Sequence, residues 1–264
     1  MVRSLKGYGV ERCMRKKRSR IIVWLNFHGV LKLLLSALLV GLAVYIFTYE
    51  LPATKTWTYW TMPLSGKIIV IDAGHGGPDG GAKSKSGILE KDINLAISMY
   101  LRDYLQQAGA LIALTREKDK DLARPETRGL SRRKTEDLLS RAKLIEQQKA
   151  DLFISIHMNS IPSSRWRGAQ TFYYPSHDNN KLLAELIQEE LRRNLGNTDR
   201  VAKSIETPYL LKTSNVPSAL VEVGFLSNPE EAELLANPDY QKKVAAAIYQ
   251  GILRYYAGEK VDTP

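Results

Sequence analysis

Residues 67–77 read Lys-Ile-Ile-Val-Ile-Asp-Ala-Gly-His-Gly-Gly. An apolar run this short, ended by glycine, marks a buried strand rather than a helix. The strand delivers His75 into a glycine-rich loop. In an open α/β sheet, functional side chains gather at the carboxyl ends of strands. The loop lacks the Gly-Lys-Ser/Thr of a phosphate loop, and Pro78-Asp79 interrupts any dinucleotide fingerprint.

Working outward, residues 90–108 have Ile93, Ile97, Leu101, Tyr104 and Ala108 on one helical face, with Gly109 to end the helix. Strands follow at 110–115, 151–157, 170–174 and 219–223. Helices are expected at 131–149, 179–195, 229–236 and 239–257, the last opened by Pro238-Asp239. Strand–helix alternation at this spacing predicts an α/β domain with a largely parallel sheet covered by helices.

The chain is strongly basic, with a formal net charge of +10. Residues 1–20 alone carry eight basic residues against Glu11, a net of +7. Residues 66–264 hold 28 basic and 26 acidic residues, so the globular part has no overall footprint for nucleic acid. The single cysteine, Cys13, lies in the basic tail, which removes both an intrachain disulfide and a cysteine zinc site.

Residues 21–48 are almost wholly apolar, long enough to cross a bilayer as a helix. The preceding basic cluster predicts a cytoplasmic tail (1–20) and an extracytoplasmic remainder. The same pattern fits a signal peptide. No Ala-x-Ala site follows the run, so an uncleaved transmembrane anchor is expected. Residues 49–65, with Pro52, Pro63, Trp57 and Trp60, read as a juxtamembrane linker.

Four residues of the globular part stand out. His75 and His157 lie at strand ends. Glu90 opens a helix, where an acid also suits the dipole. Glu222 interrupts the apolar strand Ala219-Leu220-Val221-Glu222-Val223, where a carboxylate is costly unless paired or at work. Two imidazoles and one carboxylate make a zinc donor set that leaves the fourth position open for water. A further glutamate then serves as general base and acid. No Gly-x-Ser-x-Gly elbow and no catalytic cysteine compete with that chemistry.

Five segments resemble the zinc-dependent N-acetylmuramoyl-L-alanine amidases of the type-3 family. They are Asp-x-Gly-His-Gly-Gly at 72–77, Gly-x-x-Glu-Lys-Asp at 87–92, Leu-Thr-Arg at 114–116, Ala-Asp-Leu-Phe-Ile-Ser-Ile-His-x-Asn-Ser at 150–160, and Val-Glu-x-Gly-Phe-Leu-Ser-Asn-Pro-Glu at 221–230. The resemblance spans about 66–257. It implies a mixed α/β sheet with flanking helices and a catalytic domain over 66–264. It also implies zinc ligands His75, Glu90 and His157, with Glu222 as the catalytic residue. Asn159 is expected either to orient substrate or to serve a turn.

Gly80 stands where the family commonly has Pro, and the segment 124–143 is longer and more basic than in a generic member. Both features resemble the sporulation and germination-specific amidases. They imply a role in spore cortex maturation (muramic lactam formation) and germination, in the developing spore envelope of a Gram-positive bacterium. The basic segment also reads as a solvated loop and helix start. The expected partners are peptidoglycan, the membrane through residues 21–48, and an activator protein. The competing readings are a zinc peptidase acting on stem peptides and a non-catalytic wall-binding protein.

Overall fold

The structure is a computed structural model that describes residues 26–48 and 62–261. The expected basic tail at 1–20 and most of the expected linker lie outside the described residues. The chain divides into two units, Met1–Thr54 and Lys55–Pro264.

The first unit contains α1 (Phe27–Thr48), 22 residues long. At 1.5 Å per residue that length is about 33 Å, enough for a hydrocarbon layer of about 30 Å. Its span Phe27–Tyr45 has a mean hydropathy of 2.0, and none of that window is buried within the protein. Asn26 caps it, its Oδ1 accepting the Gly29 N–H at 2.8 Å. Residues Phe27–Thr48 of that apolar stretch thus form a helix of spanning length.

The second unit is built on β1 (Ile68–Ala73), α2 (Glu90–Gln107), β2 (Leu111–Leu114), α3 (Leu130–Gln147), β3 (Leu152–Asn159), β4 (Gln170–Tyr173), α4 (Asp178–Leu195), β5 (Lys203–Ser204), α5 (Tyr209–Thr213), β6 (Ser218–Phe225), α6 (Pro229–Ala236) and α7 (Pro238–Tyr256). The six strands form one sheet in the order β2-β1-β3-β6-β4-β5. β2, β1, β3 and β6 are mutually parallel, while β4 runs antiparallel to β6. The expected mixed, largely parallel sheet is therefore observed.

Period-two alternation sorts each central strand between two cores. Ile69, Ile71, Ile154, Ile156 and Val221 face one layer with Ile97 and Leu101 of α2, Ile187 of α4 and Ile248 of α7. Val70, Phe153 and Leu220 face the other with Ile145 of α3 and Leu210 and Leu211 of α5. Burial on both faces is why β1 reads as an unbroken apolar run. Each such Ile or Leu side chain contributes roughly 1.5–3 kcal/mol on burial.

Two elements escaped the sequence: β5, of two residues, and α5, of five. Neither is long enough to show a period. The last helix begins one residue earlier than its expected start at 239. Asn237 is its cap, its side chain accepting the Asp239 N–H at 2.8 Å, and Pro238 takes the first helical position.

Candidate active site

The β1 chain leaves the sheet at Gly74 and turns sharply. His75 sits in the left-handed region at φ 64°, unusual for a residue with a Cβ. Two arginines hold this turn from beneath. Arg141 of α3 donates to the carbonyls of Ala73 at 2.8 Å and His75 at 2.7 Å. Arg116 donates to those of Ala73 at 2.9 Å and Gly74 at 3.1 Å. Asp72, the last charged group of β1, accepts from Arg141 at 2.7 Å, Ser155 at 2.7 Å and Thr115 at 2.8 Å. Burial pushes the Asp72 carboxyl up, but the Arg141 charge and these hydrogen bonds reverse that and bring it down to about 2.

The turn, the start of α2 and the end of β3 converge. The ligand atoms of His75, Glu90 and His157 all lie within 4.8 Å of one another. Glu90 Oε1 is 3.2 Å from His75 Nε2 and 3.1 Å from His157 Nδ1. Glu90 is also fixed by two backbone donors, the N–H groups of Ala82 at 2.8 Å and Met158 at 3.0 Å. Asn94, one turn further along α2, donates to it at 3.3 Å. Burial opposes the charge on Glu90, yet the hydrogen bonds from His157 and His75 more than reverse it and hold the carboxyl well below its usual range.

Close approach in this cluster depends on missing side chains. A Cβ on Gly74 would fall 2.3 Å from the His157 ring. One on Gly81, itself at φ 67°, would fall 2.6 Å from Glu90 Oε2 and 2.7 Å from His75 Cδ2. The Asp79 carboxylate lies 2.8 Å from His75 Nδ1, on the side of the ring away from the cluster, while His75 Nε2 faces Glu90. Lys134 of α3 pairs with the same Asp79 at 3.0 Å.

Glu222 stands beside the cluster. It is the register partner of His157 in the parallel β3–β6 pair, so both side chains leave the same face of the sheet. Its Oε2 is buried without a hydrogen-bond partner. Burial pushes its carboxyl up to about 7, with Glu90 adding to the rise while His157 and His75 oppose it. A pocket of about 120 Å³ opens onto His75, His157, Asp79 and Lys134. A cleft of about 430 Å³ between α3 and α5 holds none of these residues.

The structure therefore brings together all four residues singled out from the sequence. Asn159 lies just past a register shift in β3, where its carbonyl accepts the Leu226 N–H at 2.9 Å. Bulges of this kind re-aim strand ends near functional sites. The basic segment 124–143 is largely committed internally: Arg124 pairs with Glu136, Arg133 with Asp121, and Arg141 with Asp72 and Asp137. The sequence reading missed Asp79, Arg116 and Arg141 as supports. Asp72 and Arg116 lie inside two of the motifs, which was the available signal. Arg141 carries none beyond its i,i+4 spacing from Asp137.

The donor set fits zinc. Around zinc with bonds of about 2.0–2.1 Å, tetrahedral donors stand roughly 3.4 Å apart, close to the two spacings at Glu90 Oε1. A buried carboxylate facing two imidazoles at that spacing favours a cation between them.

A family model described as N-acetylmuramoyl-L-alanine amidase matches residues 69–254. The germination-specific N-acetylmuramoyl-L-alanine amidase of Bacillus subtilis (strain 168) is 52% identical over 253 residues, covering 95% of this chain and 100% of that relative. The solved structure of the CwlD amidase from Clostridioides difficile, in complex with the GerS lipoprotein, matches with a TM-score of 0.72 at 43% identity. It covers 74% of this chain and 100% of that one. The catalytic domain of CwlV, an N-acetylmuramoyl-L-alanine amidase from Paenibacillus polymyxa var. colistinus, matches with a TM-score of 0.64 at 34% identity, covering 73% and 99%. With a matched family model over most of its length and a relative of this identity, the chain belongs to the N-acetylmuramoyl-L-alanine amidase family.

Proposed function

We propose that this chain is a zinc-dependent amidase that hydrolyses the bond between the lactyl group of muramic acid and L-alanine in peptidoglycan. The observation that carries the reading is the convergence of His75, Glu90 and His157 within 4.8 Å, beside an unpartnered Glu222. Residues 66–264 are the catalytic domain. His75 and His157 bind the ion through neutral imidazoles and Glu90 through its carboxylate, with Asp79 fixing the His75 tautomer. When bound, zinc polarises the scissile carbonyl and lowers the pKa of water from about 15.7 to about 7.

Glu222 does the proton work. Its free Oε2 accepts a proton from the attacking water and later delivers it to the departing amine of L-alanine. The buried strand keeps that carboxylate from bulk water, so the proton it holds stays local. Asp72, Arg116 and Arg141 keep the His75 turn rigid through both steps.

The helix α1 anchors the enzyme, with residues 1–20 inside and the catalytic domain outside the membrane. Its length and mean hydropathy support this. The 52% identical relative named germination-specific supports a role in spore cortex maturation and germination. The complex of the Clostridioides difficile enzyme with a lipoprotein supports an activating partner.

The test is digestion of intact sacculi by the purified chain, with the new amine termini identified by mass spectrometry. New L-alanine amines, lost on zinc chelation and restored with zinc, are expected, together with stoichiometric zinc in the purified protein. Amines from within the stem, or a protein that takes up no zinc, would refute the reading.

A further inference from the structure

The row of side chains that contains the site continues past Glu222. Gln170 on β4 is the antiparallel register partner of Glu222, so His157, Glu222 and Gln170 leave one face of the sheet on three successive strands. Gln170 is anchored through Nε2 to the Val201 carbonyl at 3.0 Å. Its Oε1 accepts from Arg200 Nη1 at 3.3 Å.

Arg200 is built in an unusual way. Its guanidinium lies over the rings of Trp166 and Phe225, with Cζ at 5.4 and 5.1 Å from their centroids. Its Nε donates to the Arg167 carbonyl at 3.4 Å. Two aromatic faces and two polar anchors fix the fork without neutralising it. Among the described residues Arg200 has no carboxylate partner, and its Nη2 makes no hydrogen bond. Of the acids near it, Glu231 is already committed to the N–H groups of Gly168 at 2.8 Å and Phe225 at 2.9 Å. Arg165 and Arg167 stand exposed in the β3–β4 loop that carries Trp166, so the surroundings add positive charge.

A half-buried, oriented and unpaired guanidinium suits a planar anion, and a carboxylate fills the fork with two parallel hydrogen bonds. The amidase substrate limits where that carboxylate is. The lactyl carboxyl is tied up in the scissile amide, so the acids that remain belong to the peptide. Arg200 precedes β5, two strand spacings or about 10 Å from Glu222. An extended peptide covers that distance in about three residues.

We propose that Arg200 is a substrate-binding residue that takes a carboxylate on one of the first three residues of the peptide stem. On this account, which rests on the amidase reading, the peptide arm runs from the cluster over Glu222 and Gln170 toward β5. The loop 160–168 forms its cationic, aromatic wall. A charge-assisted pair of this type is worth about 10- to 100-fold in binding.

The experiment compares kcat/KM of the full chain in detergent on two substrates, one muropeptide with free stem carboxylates and the same muropeptide with those groups converted to primary amides. The wild type should cut the amidated substrate about 10- to 100-fold less efficiently. Arg200→Gln should bring the free substrate down to that level and leave the amidated one unchanged. Arg200→Lys, which keeps the charge but loses the fork, should recover part of the preference. Equal cleavage of both substrates by the wild type would overturn the proposal without any variant. So would an Arg200→Gln variant that loses the same factor on both, since that is a structural defect. Failure of the wild type on both substrates would sink the amidase reading and this one with it.

Discussion

His157 and Glu222 face each other across adjacent parallel strands as register partners, one at the end of β3 and the other inside β6. That pairing makes one face at the centre of the sheet carry both a ligand-type imidazole and a carboxylate with a free oxygen. Side chains directly opposite on neighbouring strands stand about 5 Å apart, near enough for one water to bridge them. The separation of roles follows from surroundings. Glu90 faces five hydrogen-bond donors or imidazoles and is held ionised, while Glu222 has an oxygen with none.

The difference predicts the phenotype of Glu222→Gln. The amide keeps the shape, so zinc content should match the wild type. Turnover on a muropeptide should fall by about 10²–10⁴, the usual loss when general acid–base catalysis goes. Strong loss of zinc in this variant would make Glu222 a ligand, and unchanged turnover would remove it from the mechanism.

Asp79 offers a subtler test. It touches only the far nitrogen of His75 in the cluster, at 2.8 Å. Removing such a support typically lowers metal affinity about 10–100-fold while leaving the ligands in place. Asp79→Ala should do so in a zinc competition titration, whereas His75→Ala or His157→Ala should abolish zinc content altogether. Wild-type affinity in Asp79→Ala would show that the His75 tautomer is fixed by other means.

The four central residues were legible because each sits at a place the sequence marks plainly: a strand end, a helix start, or a charge inside an apolar strand. The long-period elements were legible too, since β1, α2 and β3 carry unbroken patterns. What supports the site was not. Arg141 reaches Asp72 across 69 positions, and Arg200 acts from a loop whose partners Trp166 and Phe225 are remote in the chain. No local periodicity encodes such contacts. The antiparallel turn of β4 was likewise hidden, because a four-residue strand reads the same in either direction.

Topology can be checked in intact cells. With the basic residues of 1–20 held in the cytoplasm, the domain from residue 66 onward should be cut by protease added to protoplasts. An epitope at the N-terminus should stay protected until the membrane is broken. The reverse pattern would require the helix Phe27–Thr48 to insert the other way or not to span.

The buried ion pair beneath the site predicts an acid limb. Asp72 ordinarily titrates at 3.8 and is brought down to about 2 in the folded protein, chiefly by Arg141 acting against burial. A depressed carboxyl contributes stability that is fully present above 3.8 and lost as the pH falls through about 2. Over that window the loss is about 2 kcal/mol. Asp72→Asn should therefore flatten the fall in thermal stability between about pH 4 and pH 2. The same change leaves Arg141 in the interior with only Asp137 as a charged partner, at 2.9 Å. Breaking a buried pair in this way costs about 3–5 kcal/mol, so the variant should also be less stable at pH 7. Because Arg141 holds the carbonyl of His75, zinc affinity should drop alongside stability. The measurement is thermal unfolding of the detergent-purified chain against pH, with zinc titrated in parallel. An acid limb as steep in Asp72→Asn as in the wild type would assign the pH dependence to other carboxylates.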